Sequence, residues 1–356
     1  IRDSFYLVRI FKEVPLVLEP SESDDTDFYV EKSSEETILD QIVADLEENR
    51  RAAPNGDFIS VEQNKGRASK AAFDALLADI ALWRFDYDAV IGYVEKIEAS
   101  GSYLLLPGSR WFELFYPGNS IESIMEFQFD DDLGQPNGTY SLKNENDERY
   151  KASQKALELL SLDFTVELYR GENVSIAEIE EGEFLIWKYV GQLADGQSSR
   201  PSSRQRSCNW ILYRYADVLL MKAEALSQLE RYGEAKQIVN QIRSRAGAPP
   251  VQINNSPNAF EDAILKERAT ELCFEGKRWF DLLRMGRRNN YARKSNLIEI
   301  IVSNVSSGQK RKLSVKLTEP YGRNIPKSSS ELERNYKLIK NTNYDKKKSK
   351  NNIMKH

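Results

Sequence analysis

Residues 209–247, NWILYRYADVLLMKAEALSQLERYGEAKQIVNQIRSRAG, decide the fold class. Leu212, Tyr215, Leu219, Leu226 and Leu229 follow the three-and-four spacing of an amphipathic helix, with Val218 and Ala225 beside them on one apolar face. A polar turn at Glu230 to Gly233 interrupts the pattern. Ala235, Ile238, Val239 and Ile242 then make a second stripe, which Ala246-Gly247 and Pro249-Pro250 stop. The expectation is two antiparallel helices joined by a short turn. Ala216, Ala223, Ala225 and Ala235 lie within the stripes, and side chains this small let two helix backbones approach closely where they cross.

The order alanine, Leu226, turn, Tyr232, Ala235, Val239 resembles a tetratricopeptide repeat. A looser copy lies upstream in residues 68–101, where Leu76, Ala78 and Leu82 are followed by Tyr87, Ala89, Tyr93 and Ile97 and the unit ends at Gly101; its turn reads one residue shorter. Each repeat of a solenoid buries its face on a neighbour, and more than a hundred residues separate these two units. Something else must pack between them.

A chain of 356 residues that is 40% hydrophobic and 29% charged is ordinary globular material, long enough for a large core. Apolar runs such as Ile298 to Val302 fall far short of the eighteen or so residues of a membrane span. The chain opens at Ile1 in mid-stripe, with Phe5, Val8 and Phe11 already at helical spacing, so it reads as lacking its natural beginning. The only histidine is His356, which argues against Ser-His-Asp and Cys-His catalysis and histidine-rich zinc sites. Cys208 and Cys273 form neither a disulfide framework nor a metal spacing, and no cofactor is expected. From Arg284 onward 19 Lys and Arg face 5 Asp and Glu, giving +14 there against −19 for the preceding residues. Without interleaved aromatic residues the basic end does not read as a nucleic-acid site, and DKKKSKNNIMKH (345–356) reads as a solvated tail.

Along the chain, Ser33 or Ser34 starts a helix with Ile38, Ile42, Val43 and Leu46 inside, ending near Ala53-Pro54. Ile124, Met125, Phe127 and Phe129 half-alternate, as a short strand would, and run into an aspartate turn. Residues 130–208 are rich in loop signals. Residues 263–287 read as one further helix, and 321–344 as an extended strap over the hairpins.

Glu267, Glu271 and Glu275 fall one helical turn apart, and paired carboxylates are what a glycosidase uses as acid and base. Arg268, Lys277, Arg278 and Arg284 are interleaved with them, so ion pairing is the better reading. Asp130-Asp131-Asp132 with Gly134 and Asn137 lacks the EF-hand spacing and reads as a polar turn, leaving no metal site. Tyr140, Tyr150 and Tyr169 lie in polar surroundings with Asn137, Asn144 and Arg149, and Trp187 closes the segment. Aromatic faces stack on the apolar side of sugar rings while amides and guanidinium groups bind their hydroxyls, so Tyr140, Tyr150, Tyr169, Trp187, Asn137 and Arg149 are the candidate ligand-binding residues.

Six stretches taken together resemble the SusD/RagB-like nutrient-binding lipoproteins of the outer membrane. They are FYLVRIFKEVPLV (5–17), GRASKAAFDALLADIAL (66–82), PGNSIESIMEFQF (117–129), ILYRYADVLLMKAEAL (211–226), ERATELCFEGKRWFDLLRMG (267–286) and NIPKSSSELERNYKLIKNTNY (324–344). The resemblance implies a mainly α fold of tetratricopeptide-like hairpins with irregular insertions and a short β element. It places one N-terminally incomplete helical domain over 1–344, with hairpins at 66–107 and 209–250, an irregular insertion at 111–208 and a basic tail at 345–356. It further implies a lipid anchor on the outer face of the outer membrane and a TonB-dependent SusC-like barrel as partner. Non-catalytic capture of an oligosaccharide and its delivery to that barrel is the expected function; peptide capture or a helical-repeat adaptor are the alternatives.

Overall fold

The computed structural model describes residues 2–19, 30–139, 152–160, 169–171, 174–180, 183–189, 206–254 and 256–303. It opens with α1 (Arg2–Phe11), β1 (Val14–Pro15) and β2 (Lys32–Ser33), followed by α2 (Glu35–Arg50), α3 (Val61–Gly66), α4 (Lys70–Trp83) and α5 (Tyr87–Ala99). A 3-10 segment Gly108–Leu114 leads to β3 (Ser123–Phe127), then α6 (Gln154–Leu160), β4 (Ile176–Glu180), β5 (Glu183–Ile186) and β6 (Trp210–Arg214). The chain continues through α7 (Tyr215–Gln228), α8 (Tyr232–Arg245), α9 (Pro257–Glu271), α10 (Arg278–Tyr291) and α11 (Lys294–Ser303). The fold is mainly α, with three two-stranded antiparallel sheets pairing β1 with β2, β3 with β6 and β4 with β5. Among the described residues no helix is long and apolar enough to cross a membrane.

The helices begin where the sequence offers a cap. Ser34 Oγ accepts from the Thr37 amide at 3.1 Å, Ser69 from Ala72 at 3.3 Å and Asp86 from Ala89 at 3.1 Å, each satisfying a first-turn N–H that has no intrahelical partner. α7 has no such cap, because β6 runs straight into it; the Tyr215 amide donates to Glu122 O at 2.8 Å instead. Leu212 therefore belongs to a strand and not to the helical stripe. Its neighbours Trp210 and Arg214 pair with Phe127 and Ser123.

The two hairpins match more closely than their sequences suggest. Both turns have the same length, residues 84–86 and 229–231, so the upstream turn is no shorter. In each the middle residue is left-handed, Phe85 at φ 63° and Glu230 at φ 58°. The Asp86 and Arg231 amides close their turns on Ala81 O and Leu226 O, both at 2.9 Å. Ala78 and Ala223, Val94 and Val239, and Ile97 and Ile242 then occupy equivalent buried positions. Ala216, Ala223, Ala225 and Ala235 are fully buried, as close helix crossing requires. Between the hairpins α5 packs on α7, and α7 also packs on α9, so the units share one core instead of stacking in a regular array.

The single helix expected over 263–287 is broken. α9 stops at Glu271, and residues 272–276 turn with Phe274 at φ 65° and Gly276 at φ 75° before α10 starts. The carbonyls that a continuing helix would use are taken by other donors: Arg214 Nη2 binds Glu271 O at 2.8 Å and Lys188 Nζ binds Cys273 O at 2.9 Å. At the far end of α10, Asn289, Asn290 and Tyr291 all have positive φ and reverse the chain into α11. A Cβ on Gly286 would lie 2.5 Å from Leu297 Cδ2, so this glycine permits the close approach of α11. The 321–344 strap and the 345–356 tail lie outside the described residues.

Candidate functional site

The segment between the hairpins is fixed to the helices by charge. Arg214, at the end of β6 and fully buried, donates Nη1 to Glu122 Oε1 at 2.6 Å and Glu271 Oε1 at 2.7 Å. Its Nε and Nη2 meet the two oxygens of Glu275, each at 2.9 Å. Arg170 reaches the same helix from the insertion, with Nη1 2.6 Å from Glu267 and 3.0 Å from Glu271. Lys188, at the end of the β4–β5 hairpin, places Nζ 2.6 Å from Glu275 Oε1. Arg243 and Arg245 close the group from α8, on Glu267 and on Glu122 and Glu271 respectively. The indole of Trp111 covers three of these cations, with Arg245, Lys188 and Arg214 between 5.0 and 5.6 Å from its ring centre.

Burial and pairing oppose each other here. Burial alone would raise the Glu271 carboxyl, but Arg245, Arg214 and Arg170 outweigh it and hold the group well below the usual carboxylate range. Glu275 is lowered in the same way, with burial overcome by Arg214 and Lys188. Burial pulls the Lys188 ammonium down, and Glu275 offsets part of the effect. A glycosidase acid must keep its proton near neutral pH. Glu271 and Glu275 are therefore ion-pair partners, as the sequence suggested, and Glu267 is one by its contacts with Arg170 and Arg243. Their main partners are the distant Arg170, Lys188, Arg214, Arg243 and Arg245, whereas the interleaved Arg268 and Arg284 belong to a second network.

That second network lies between α7, α9 and α10. Arg268 bridges Asp217 and Asp281, each at 3.0 Å, and Arg284 bridges Glu224 and Asp281 at 2.8 and 2.7 Å. Burial would raise Asp217, but Lys277 and Arg268 hold it at about 2; Glu224, with Arg284 and Arg288, is likewise held at about 2.

Three of the six candidate ligand residues fall within the described structure. Asn137 is buried, its Nδ2 donating to Cys208 O at 2.6 Å and its Oδ1 accepting from the Thr139 amide at 3.0 Å, so its side chain joins the 130–139 loop to the approach to β6. Tyr169 is half-buried beside Gly108, with its amide donating to Ala246 O at the end of α8. Trp187 is half-buried, and its amide donates to Ser175 O at 2.9 Å. Tyr169 and Trp187 immediately precede Arg170 and Lys188 along the chain, so both aromatic residues flank the points where the insertion meets Glu271 and Glu275. Tyr140, Arg149 and Tyr150 lie outside the described residues. The aspartate run is a polar turn: Asp130 pairs with Gln135, Asp131 binds Arg206 at 2.9 Å, and no cluster suited to a metal occurs among the described residues.

Glu122, Arg170, Lys188, Arg214 and Arg245 do not stand out in the sequence. Spacing offers no signal for them, since they converge from five separate segments. An aromatic layer accompanies them: Phe115 meets Tyr189 edge-on at 5.2 Å, Tyr189 stacks on Trp210 at 5.8 Å, and the Tyr189 hydroxyl donates to Phe274 O at 2.8 Å.

Comparison with known proteins gives a consistent outcome. Residues 36–344 match the model of the SusD family. The chain is similar to SusD-like protein P38 of Formosa agariphila, at 28% identity over 79% of this chain and 63% of the relative, and to SusD-like protein P2 of the same organism, at 26% identity over 79% and 62%. It thus spans less than two thirds of the length of these curated relatives. Among solved structures, a SusD superfamily protein from Bacteroides vulgatus superposes with a TM-score of 0.71 at 22% identity, covering 93% of this chain and 73% of that one. A SusD homolog from Bacteroides thetaiotaomicron gives 0.63 at 24% identity, with 91% and 71% covered.

Proposed function

The chain belongs to the SusD family, whose members generally bind nutrient glycans, and we propose that it captures an oligosaccharide at the cell surface without cleaving it. In this reading it hands the glycan to a TonB-dependent SusC-like barrel in the outer membrane, beside which a lipid anchor holds it. The observation that carries the reading is the division of labour between hairpins and insertion. The helices form a charge-locked scaffold, and the insertion plugged into it carries Tyr169 and Trp187 next to its two anchoring cations. A rigid scaffold presenting irregular segments is a common arrangement for binding sites. Tyr140, Tyr150, Tyr169 and Trp187 would supply stacking faces and Arg149 hydrogen bonds, with Asn137 holding its loop to Cys208.

Affinity electrophoresis of the protein through gels containing soluble polysaccharides, with product analysis of the same mixtures, tests this reading. Retardation by one glycan with no released sugar is the expected result. Free migration through every gel, or accumulation of cleavage products, would overturn it. Co-purification with the barrel tests the delivery step.

A further inference from the structure

A cleft of about 370 Å³ lies apart from the insertion, between α1, the start of α2, the end of α4, α10 and α11. Its floor is Trp83, and its walls are Trp279, Leu283, Leu297, Ile298 and Ile301. Trp279 is 42% exposed, a large apolar face left open on a helix whose Phe280, Leu282, Leu283 and Met285 are buried. The volume is in the range of small-molecule sites, which are mostly apolar with a few polar groups that fix orientation.

Beside the Tyr291 hydroxyl, the polar groups are mostly cationic. Arg9, Lys12, Arg287 and Lys294 line the cleft against the single carboxylate of Glu35. Glu35 is already engaged, its Oε1 accepting from Trp83 Nε1 at 2.7 Å and Arg287 Nη2 at 3.0 Å. Arg287 also stacks over the Trp83 ring at 4.3 Å, which fixes the plane of its guanidinium. Its Nη1 is buried with no hydrogen-bond partner among the described residues, and the same holds for Nε of Arg9, a side chain only 4% exposed. Buried donors of charged groups carry a large desolvation cost unless they are satisfied.

We propose that this cleft binds a long-chain carboxylate, with the head on Arg287 and the alkyl body against Trp279, Leu283, Leu297 and Ile301. A planar guanidinium with an unused N–H suits a carboxylate, which accepts charge-assisted hydrogen bonds in that plane. The aliphatic walls suit an alkyl chain. The walls of Leu283, Leu297, Ile298 and Ile301 offer no polar group to the successive hydroxyls of a sugar, whereas an alkyl chain needs none there. The site is distinct from the insertion and does not depend on the glycan reading.

Calorimetric titration of the full chain with dodecanoate, below the concentration at which it forms micelles, tests the proposal. One saturable site is expected, with dodecanol at least tenfold weaker and acetate showing no heat of binding. Arg287→Gln should lower dodecanoate affinity at least tenfold. Ile301→Asp, on a half-exposed face of α11 where folding tolerates the change, should do the same by placing a like charge in the wall. Equal binding of dodecanol, unchanged affinity in both variants, or no saturable binding would overturn the proposal.

Discussion

Arg214 and Glu275 meet through two parallel hydrogen bonds, Nε to Oε2 and Nη2 to Oε1, each 2.9 Å long, with neither side chain more than 3% exposed. The pair joins the end of β6 to the turn between α9 and α10. Arg214 extends it to Glu122 and Glu271, so one guanidinium touches three carboxylates, whose charge Arg170, Lys188 and Arg245 also offset.

Removing that guanidinium takes one buried partner from each of Glu122, Glu271 and Glu275, leaving them to Arg170, Lys188 and Arg245, and breaking a buried pair from one side costs about 3–5 kcal/mol. Arg214→Leu is expected to lower the stability of the protein by that order. Urea denaturation followed by circular dichroism measures it; a midpoint unchanged from the parent protein would show that the cluster relaxes without loss.

Lys188 ties the β4–β5 hairpin to Glu275 and to the carbonyls of Glu271 and Cys273, where Glu275 and Glu271 O keep Arg214 in its absence. Lys188→Met should therefore loosen the insertion selectively. Hydrogen exchange is expected to speed up at residues 174–189 while α7 and α8 keep their protection. Uniform acceleration across the chain would instead mean that the hairpin is integral to the core.

Glu224 has an ordinary carboxyl value of 4.5 and is held at about 2 in the fold, where Arg284 and Arg288 overcome the effect of burial. A depressed folded-state value contributes stability above the unfolded value, and this is lost as the pH falls through the folded one. The contribution, on the order of 3 kcal/mol at neutral pH, should fade between about pH 4.5 and 2. Glu224→Gln is expected to be less stable at pH 7 and to show a flatter acid limb in stability measured against pH. An acid limb as steep as the parent's would assign the loss to other groups, among them Asp217, which is also held at about 2.

A Cβ on Gly108 would lie 2.4 Å from both Arg245 O and Tyr169 Cδ2. The backbone carbonyl cannot yield cheaply, so Gly108→Ala should cost about 1–3 kcal/mol, as other overpacking changes do. If Tyr169 contributes to glycan binding, retardation in affinity gels should weaken in the same variant. Stability equal to the parent's would show that the turn shifts to accommodate the methyl group.

Trp187→Ala tests the ligand assignment directly. Stacking by one aromatic ring is worth about 0.5–1.5 kcal/mol beyond its burial, so affinity for the retarding glycan should fall roughly tenfold with little change in denaturation midpoint. Equal affinity in Trp187→Ala and the parent removes this residue from the site.

The hairpins were legible because their information is local. Ala223, Leu226 and the polar turn before Tyr232 lie within one short window, and helix periodicity follows from neighbours. Leu212 misled because an apolar residue in a strand that continues directly into a helix falls on the helical stripe by accident of phase. The break after Glu271 was invisible for a different reason. It is stabilised by Arg214 and Lys188, which are far away along the chain, and periodicity carries no record of a carbonyl taken by a remote side chain. The charged residues of the insertion share this limit: Arg170 looked like any loop arginine until the fold buried it against Glu267 and Glu271. Of the candidate site, residue types could suggest aromatic and amide groups, but only the fold showed that Asn137 turns its side chain inward.

Arg170 and Lys188 plug into the helical frame as two pegs, and the chain between them spans residues 171–187. A panel fixed at both ends can exchange its outward residues without altering how it is mounted. If the insertion meets the ligand, specificity can drift while the chassis stays the same, and the loss of one peg would matter more to such a protein than the replacement of any single face between them.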